Sequence, residues 1–113
     1  MEFKILKNRW RSVKVGFNFD MYAWMCVCKY NDIEIFELSK IDKEKIFGDY
    51  LYGAYESYCT HNRKRVKYDM AQLEVILDKM TKKQADELSR AVLDSKFMGK
   101  SVNDYGGDQK KKK

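Results

Sequence analysis

Hydrophobic positions along the chain begin with a repeat of two and then settle into helical spacing. Phe3 and Ile5 alternate with Lys4, and after the polar stretch Lys7 to Arg9, Val13, Val15 and Phe17 alternate with Lys14 and Gly16. Side chains two apart share one face of an extended strand, so these runs predict a β-hairpin. A lone ribbon is marginal in water and has to lay its apolar face on another element.

Asn18 is placed to accept a hydrogen bond from the free amides of a helix start, and Phe19 to Tyr30 continues without Gly or Pro, which predicts the first helix. Met21, Tyr22, Trp24, Met25, Cys26 and Val27 cover more than one face of it. Such a helix is either central to the core or partly covered by a partner. Ile33, Ile35, Phe36 and Leu38 read as a brief turn-and-helix connector. Asp42 is the next cap, and Phe47, Leu51, Ala54 and Tyr58 follow at spacings of four, three and four, stacked on one face of a helix from Lys43 to His61. Tyr50 and Tyr55 flank that stripe, while Lys45, Asp49 and Glu56 fall on the opposite, wet side.

Asp69 with Gln72, and Thr81 with Gln84, have the spacing of a capping box, in which cap and third residue satisfy each other's amides. They open two further helices, one with Met70, Leu73, Ile76, Leu77 and Met80 on its apolar side, the other with Ala85, Leu88 and Val92. After Phe97 the periodicity stops, and Gly99, Gly106 and Gly107 lead into a terminal lysine run. The expected fold class is mainly α, a small helical domain of three to five helices with an N-terminal β-hairpin. Residues 1–97 are expected to form a single domain and 98–113 a flexible, disordered tail rich in Gly and Lys.

At 113 residues, 44% apolar and 14% aromatic, the chain has material for one core and not for two. Its formal charge of +6 invites a nucleic-acid partner, because clustered cations neutralise phosphates and release counterions. Position weakens that inference: Lys110 to Lys113 are four of the 23 basic residues, and the remaining chain carries 19 basic against 17 acidic groups. The other basic cluster, Arg63, Lys64, Arg65 and Lys67, separates two helical patterns and so belongs to a loop. A solvated connector is one account of it, a patch for an anionic partner the other. Cys26, Cys28 and Cys59 cannot all pair within one chain and none stands in a C-x-x-C arrangement, which fits a reducing compartment. No apolar stretch approaches the roughly 20 residues that cross a bilayer, and no secretory leader is recognisable, so a cytoplasmic location without membrane association is expected.

Catalysis needs a nucleophile, a base and a group to orient them, and the inventory here is poor. His61, the only histidine, lies at a predicted helix end, where a cation suits the helix dipole. Cys59 is two residues from it and points to another side. The carboxylate pairs Asp32 with Glu34 and Asp86 with Glu87 sit among lysines, and no phosphate-loop, dinucleotide, zinc-protease or calcium-loop motif occurs. Neither catalytic residues, a metal site nor a cofactor is expected. Trp10 between Arg9 and Arg11 is the best local arrangement for stacking on a base, although a hairpin aromatic packed on helices is the commoner explanation. Tyr52 falls on the polar side of its helix, where an exposed ring could anchor a partner.

In this order the pieces resemble the small tail assembly chaperones of long-tailed bacteriophages. Val13 to Leu38, VKVGFNFDMYAWMCVCKYNDIEIFEL, resembles that family's strand, turn, aromatic-rich helix and short apolar segment. IFGDYLYGAYESYC followed by YDMAQLEVILDKM and LSRAVLDS resembles its tyrosine-containing helix, basic loop, capped short helix and final helix. Together they cover most of residues 13–95, departing at Val15, where Phe is usual, and at Cys28 to Asn31, where acidic residues and Gly are frequent. The resemblance implies a non-enzymatic viral protein of the bacterial host cytoplasm that coats the tape-measure protein during tail assembly and helps recruit tail-tube subunits, with self-association as a further option. Holding another chain needs exposed apolar area, and Trp24, Met25, Tyr52 and Tyr55 are the residues expected to supply it. Members of the family often make a longer product by ribosomal frameshift, and four consecutive lysines can be encoded by a run of adenines; a solubilising tail is the other account of Lys110 to Lys113. The alternative function is a small basic accessory nucleic-acid-binding protein using Arg63, Lys64, Arg65, Lys67 and the lysine tail.

Overall fold

The computed structural model describes residues 1–95, so the tail expected from residue 98 lies outside the described residues. Strand β1 (Glu2–Asn8) pairs antiparallel with β2 (Arg11–Gly16), with Phe3 opposite Val15 and Ile5 opposite Val13. The turn is closed by Asn8, whose Oδ1 accepts from the backbone amides of Trp10 at 2.8 Å and Arg11 at 3.0 Å. As the alternation predicts, Phe3, Ile5 and Val15 are buried on one face while Lys4 and Lys14 stand on the other.

Helix α1 (Met21–Asn31) begins two residues later than the sequence suggests, because Asp20 and not Asn18 caps it. The Asp20 carboxylate accepts from the Ala23 amide at 3.1 Å, whereas the Asn18 amide is engaged by the Ala54 carbonyl at 3.0 Å, tying the approach to another helix. Phe19 is thereby left outside the helix, its ring stacked on Phe17 at 6.0 Å and close to Tyr50 at 5.6 Å. Asp32, with φ of 53°, ends α1, and the expected connector is a 3-10 helix, Ile35–Lys40.

Helix α2 (Lys43–His61) has the predicted span. It runs antiparallel to α1, as the pairs Tyr22 with Thr60, Cys26 with Glu56 and Asn31 with Asp49 show by their reversed order. The approach is close at Gly53, where a Cβ would stand 2.7 Å from the Ala23 carbonyl oxygen. The buried face of α2 is rotated from the expected one. Ile46, Asp49, Tyr50, Gly53, Ala54, Ser57 and Tyr58 are enclosed, while Phe47 and Leu51 are half-buried. Asp49, expected in water, is only 3% exposed, because it lies under α1, accepting from Asn31 Nδ2 at 2.8 Å and Lys45 Nζ at 2.9 Å.

Helices α3 (Met70–Leu77) and α4 (Lys82–Asp94) each carry the predicted capping box, Asp69 with Gln72 and Thr81 with Gln84. Leu73 and Ile76 of α3 and Leu88 and Val92 of α4 join the same core cluster as the hairpin, α1 and α2, whereas Ala85 is exposed. The Gln84 side chain donates to the Lys4 carbonyl at 2.9 Å, fastening the start of α4 to β1. The architecture is therefore mainly helical with an N-terminal hairpin laid on the helices. No helix of the described residues is long and apolar enough to cross a membrane.

Candidate functional site

Two surfaces stand out: an apolar face on α1 and a basic groove beside β2. Along α1, residues three and four apart share a face, and the one turned from α2 presents Met21 and Met25, which are 55% and 62% exposed. With Cys28 of α1 and Ile33, Glu34 and Ile35 beyond it, they line a concavity of about 390 Å³ in which Glu34 is the one charged side chain. Phe36, next in the chain, is 79% exposed.

Trp24 does not belong to this surface. It is 1% exposed, its ring stacked on Tyr50 with centroids 4.3 Å apart, because its position on α1 turns it toward α2. The expectation that Trp24 meets a partner is thus corrected, and Met25 alone of the expected set lies open on α1.

The two tyrosines expected to face a partner hold the basic loop instead. Tyr52 is half-buried and its hydroxyl donates to the Tyr68 carbonyl at 2.7 Å. Tyr55 is buried, and its phenol oxygen accepts from the backbone amides of Lys67 at 3.2 Å and Tyr68 at 3.3 Å. Burial pushes this phenol up to about 12, so it stays protonated. The sequence pattern put Tyr52 on the polar side of its helix, whereas its ring packs against Tyr30 of α1 at 5.9 Å and Tyr55 at 5.7 Å beside the core, so it is not open surface.

That loop leaves α2 through Arg63, whose φ of 56° is left-handed, with the Lys64 amide closing on the Cys59 carbonyl at 2.8 Å. A side chain in this conformation costs about 1–2 kcal/mol, which is why Gly is usual at such a helix exit. The loop then runs beside β2, and together they line a groove of about 530 Å³. Of the expected patch, Lys64, Arg65 and Lys67 line it and Arg63 does not; Lys14 of β2 joins them from across the groove, with Tyr58 and Tyr68 as aromatic wall. The Lys64 ammonium lies 5.3 Å from the centre of the Tyr58 ring. Tyr58 in turn packs over Gly16 and donates its hydroxyl to Glu2, which Lys14 approaches at 3.7 Å. The Tyr58 hydrogen bond, then Lys14, Lys64 and the terminal ammonium, hold the Glu2 carboxyl below its ordinary value despite some opposing desolvation, and the same bond to Glu2, then burial, pushes the Tyr58 phenol up to about 12.

Trp10 is not packed on helices; it is 84% exposed at the hairpin tip, with the Arg9 guanidinium 5.7 Å from its ring centre. Sequence reasoning noticed Arg9, Trp10 and Arg11 but not Lys14 as a partner of the loop. The signal was present in the charge distribution: residues 1–17 and 62–68 hold nine basic residues against the single acid Glu2, and the rest of the chain before the lysine run has ten against sixteen.

One polar constellation resembles catalytic chemistry by composition alone. Ser57 Oγ donates to both Asp20 carboxylate oxygens at 2.9 Å, and His61 Nδ1 lies 3.2 Å from Ser57 Oγ and 2.8 Å from its carbonyl oxygen. Ser57 is fully enclosed and its hydroxyl bonds the Asp20 carboxylate, so the serine braces the cap of α1. Burial raises the thiols of Cys26, Cys28 and Cys59, that of Cys26 to about 11, and leaves them protonated as small apolar groups. Among the described residues no group of three or more His, Cys, Asp or Glu is placed to hold a metal ion. Comparison with protein-family models, with curated proteins and with solved structures finds no match to this chain.

Proposed function

We propose that this protein is a non-enzymatic assembly chaperone that shields an apolar segment of another protein. The observation that carries the reading is the open methionine face of α1: Met21 and Met25, a turn apart, flank a concavity continued by Ile33 and Ile35, beside the exposed Phe36. Methionine is unbranched and polarisable, so it conforms to varied apolar partners at little cost, as a holding surface requires. In the finer form of the proposal, which rests on the resemblance of residues 13–95, the partner is the tape-measure protein of a phage tail in the bacterial cytoplasm, and tail-tube subunits are recruited to the complex.

The test is co-expression with a phage tape-measure protein, reading its recovery in soluble, co-purified form. Met21→Glu with Met25→Glu should lower recovery by about tenfold or more if the pair is an anchor, while circular dichroism stays unchanged because both side chains are exposed. Equal recovery with wild type and variant refutes this surface as the holding site.

A further inference from the structure

The methionine face leaves a second feature unused: two basic segments far apart in sequence converge. The hairpin and the loop after α2 carry a charge of +8 between them, yet the residues outside them and the lysine run sum to −6. The fold gathers that cation excess on the two walls of the groove, Lys14 on one and Lys64, Arg65 and Lys67 on the other. Tyr52 and Tyr55 fix the loop wall by hydrogen bonds to its backbone, so its cations are carried on an ordered support.

We propose that this groove, together with the hairpin tip, binds single-stranded nucleic acid. Phosphates lie along Lys14, Lys64, Arg65 and Lys67, and a base stacks on Trp10. Trp10 sits in the turn immediately before β2 and Lys14 is the fourth residue of that strand, three residues of extended chain or about 10 Å from its start at Arg11, so a short stretch of one nucleic-acid strand reaches both. An indole that is 84% exposed offers its face only to a base whose own face is free, which unpaired bases have and stacked duplex bases do not. Arg9, whose guanidinium lies over the Trp10 ring 5.7 Å from its centre, and Arg11 after it supply charge at the same end. Glu2 is the one acid in these segments, and Tyr58 and Lys14 hold it at the groove edge.

The experiment uses the full chain and a labelled oligothymidylate of about 20 nucleotides, longer than a typical single-domain site, followed by fluorescence anisotropy. Four phosphate contacts on a single strand predict a slope of log affinity on log salt of about −2.8, a fall of about fiftyfold between 50 and 200 mM. Lys64→Glu, Arg65→Glu and Lys67→Glu together should weaken binding by about tenfold or more, and Trp10→Ala by about tenfold, with circular dichroism unchanged. Replacing Lys110 to Lys113 by Gln should leave both losses in place, and Met25→Glu should leave binding intact, which separates this site from the methionine face. Undiminished binding by Trp10→Ala or by the triple variant overturns the proposal. So does a duplex bound as tightly as the single strand, or polyglutamate competing as well as oligonucleotide, since either would make the groove a general polyanion surface.

Discussion

In Gly53→Ala two effects of opposite sign meet, and the geometry says which wins. Within a helix Ala is favoured over Gly by about 1 kcal/mol. At this position, however, a Cβ would stand 2.7 Å from the Ala23 carbonyl oxygen and 3.0 Å from the Cys26 Cβ. Both neighbours are backbone or first side-chain atoms of α1, so neither can swing aside. Relief requires α1 to withdraw by roughly 0.5 Å, which forfeits about a quarter of the attraction across the contact, and overpacking of this kind costs about 1–3 kcal/mol. Set against the helix gain of about 1 kcal/mol, the expected net loss is up to about 2 kcal/mol. Gly48 lies in the same helix with nothing within 4 Å of its would-be Cβ, so Gly48→Ala should gain about 0.5–1 kcal/mol. Urea unfolding reads both. With a slope of about 1.5 kcal/mol per molar, the midpoint of Gly53→Ala should lie about 0.3–2 M below that of Gly48→Ala. Coincident midpoints would refute the close approach of α1 and α2.

Three further outcomes are expected. Asp20→Ala should cost about 2 kcal/mol, half from the lost cap and half from the enclosed Ser57 hydroxyl losing its acceptor, and adding Ser57→Ala should recover the second half in a double-mutant cycle. Trp24→Ala should destabilise by about 3–5 kcal/mol in thermal or urea unfolding; weakened partner capture at undiminished stability would contradict its place against Tyr50. Because the folded Glu2 carboxyl is held below its ordinary 4.5, its bond to Tyr58 contributes stability above that pH and loses it as acid takes the pH through the folded value. Tyr58, raised to about 12, contributes below its ordinary 10 and loses that contribution as the pH rises through 12. Glu2→Gln should therefore remove a component of the stability profile on the acid side, and a profile identical to wild type below pH 4.5 would exclude the contact.

The elements were legible wherever a local rule sufficed. Period two gave the hairpin, and the capping boxes at Asp69 and Thr81 fixed the starts of α3 and α4, since those bonds close within a few residues. Misplaced features depend on contacts across long stretches of chain. Asn18 is drawn to Ala54, so capping passes to Asp20, and Asp49 looks solvent-facing until Asn31 of α1 arrives over it. At the candidate site, Lys64, Arg65, Lys67 and Met25 could be read from sequence, while Arg63 of the same cluster does not line the groove. Lys14 across the groove could not, because it needs the hairpin beside the end of α2, nor could the hold of Tyr52 and Tyr55 on the loop, because it needs the chain after α2 to fold back along that helix.

The length of α2 sets how the two cationic segments face each other. Its residues advance by about 100° each, and its final turn carries Tyr58, which packs against Gly16 and Glu2, and then the exit through Arg63. One residue inserted midway would keep every charge in the chain yet swing Lys64, Arg65 and Lys67 about a quarter-turn around the helix axis, out of line with Lys14. The helix thus works as a spacer of fixed phase, and its residue count would be as consequential for an anionic ligand as the identity of the lysines themselves.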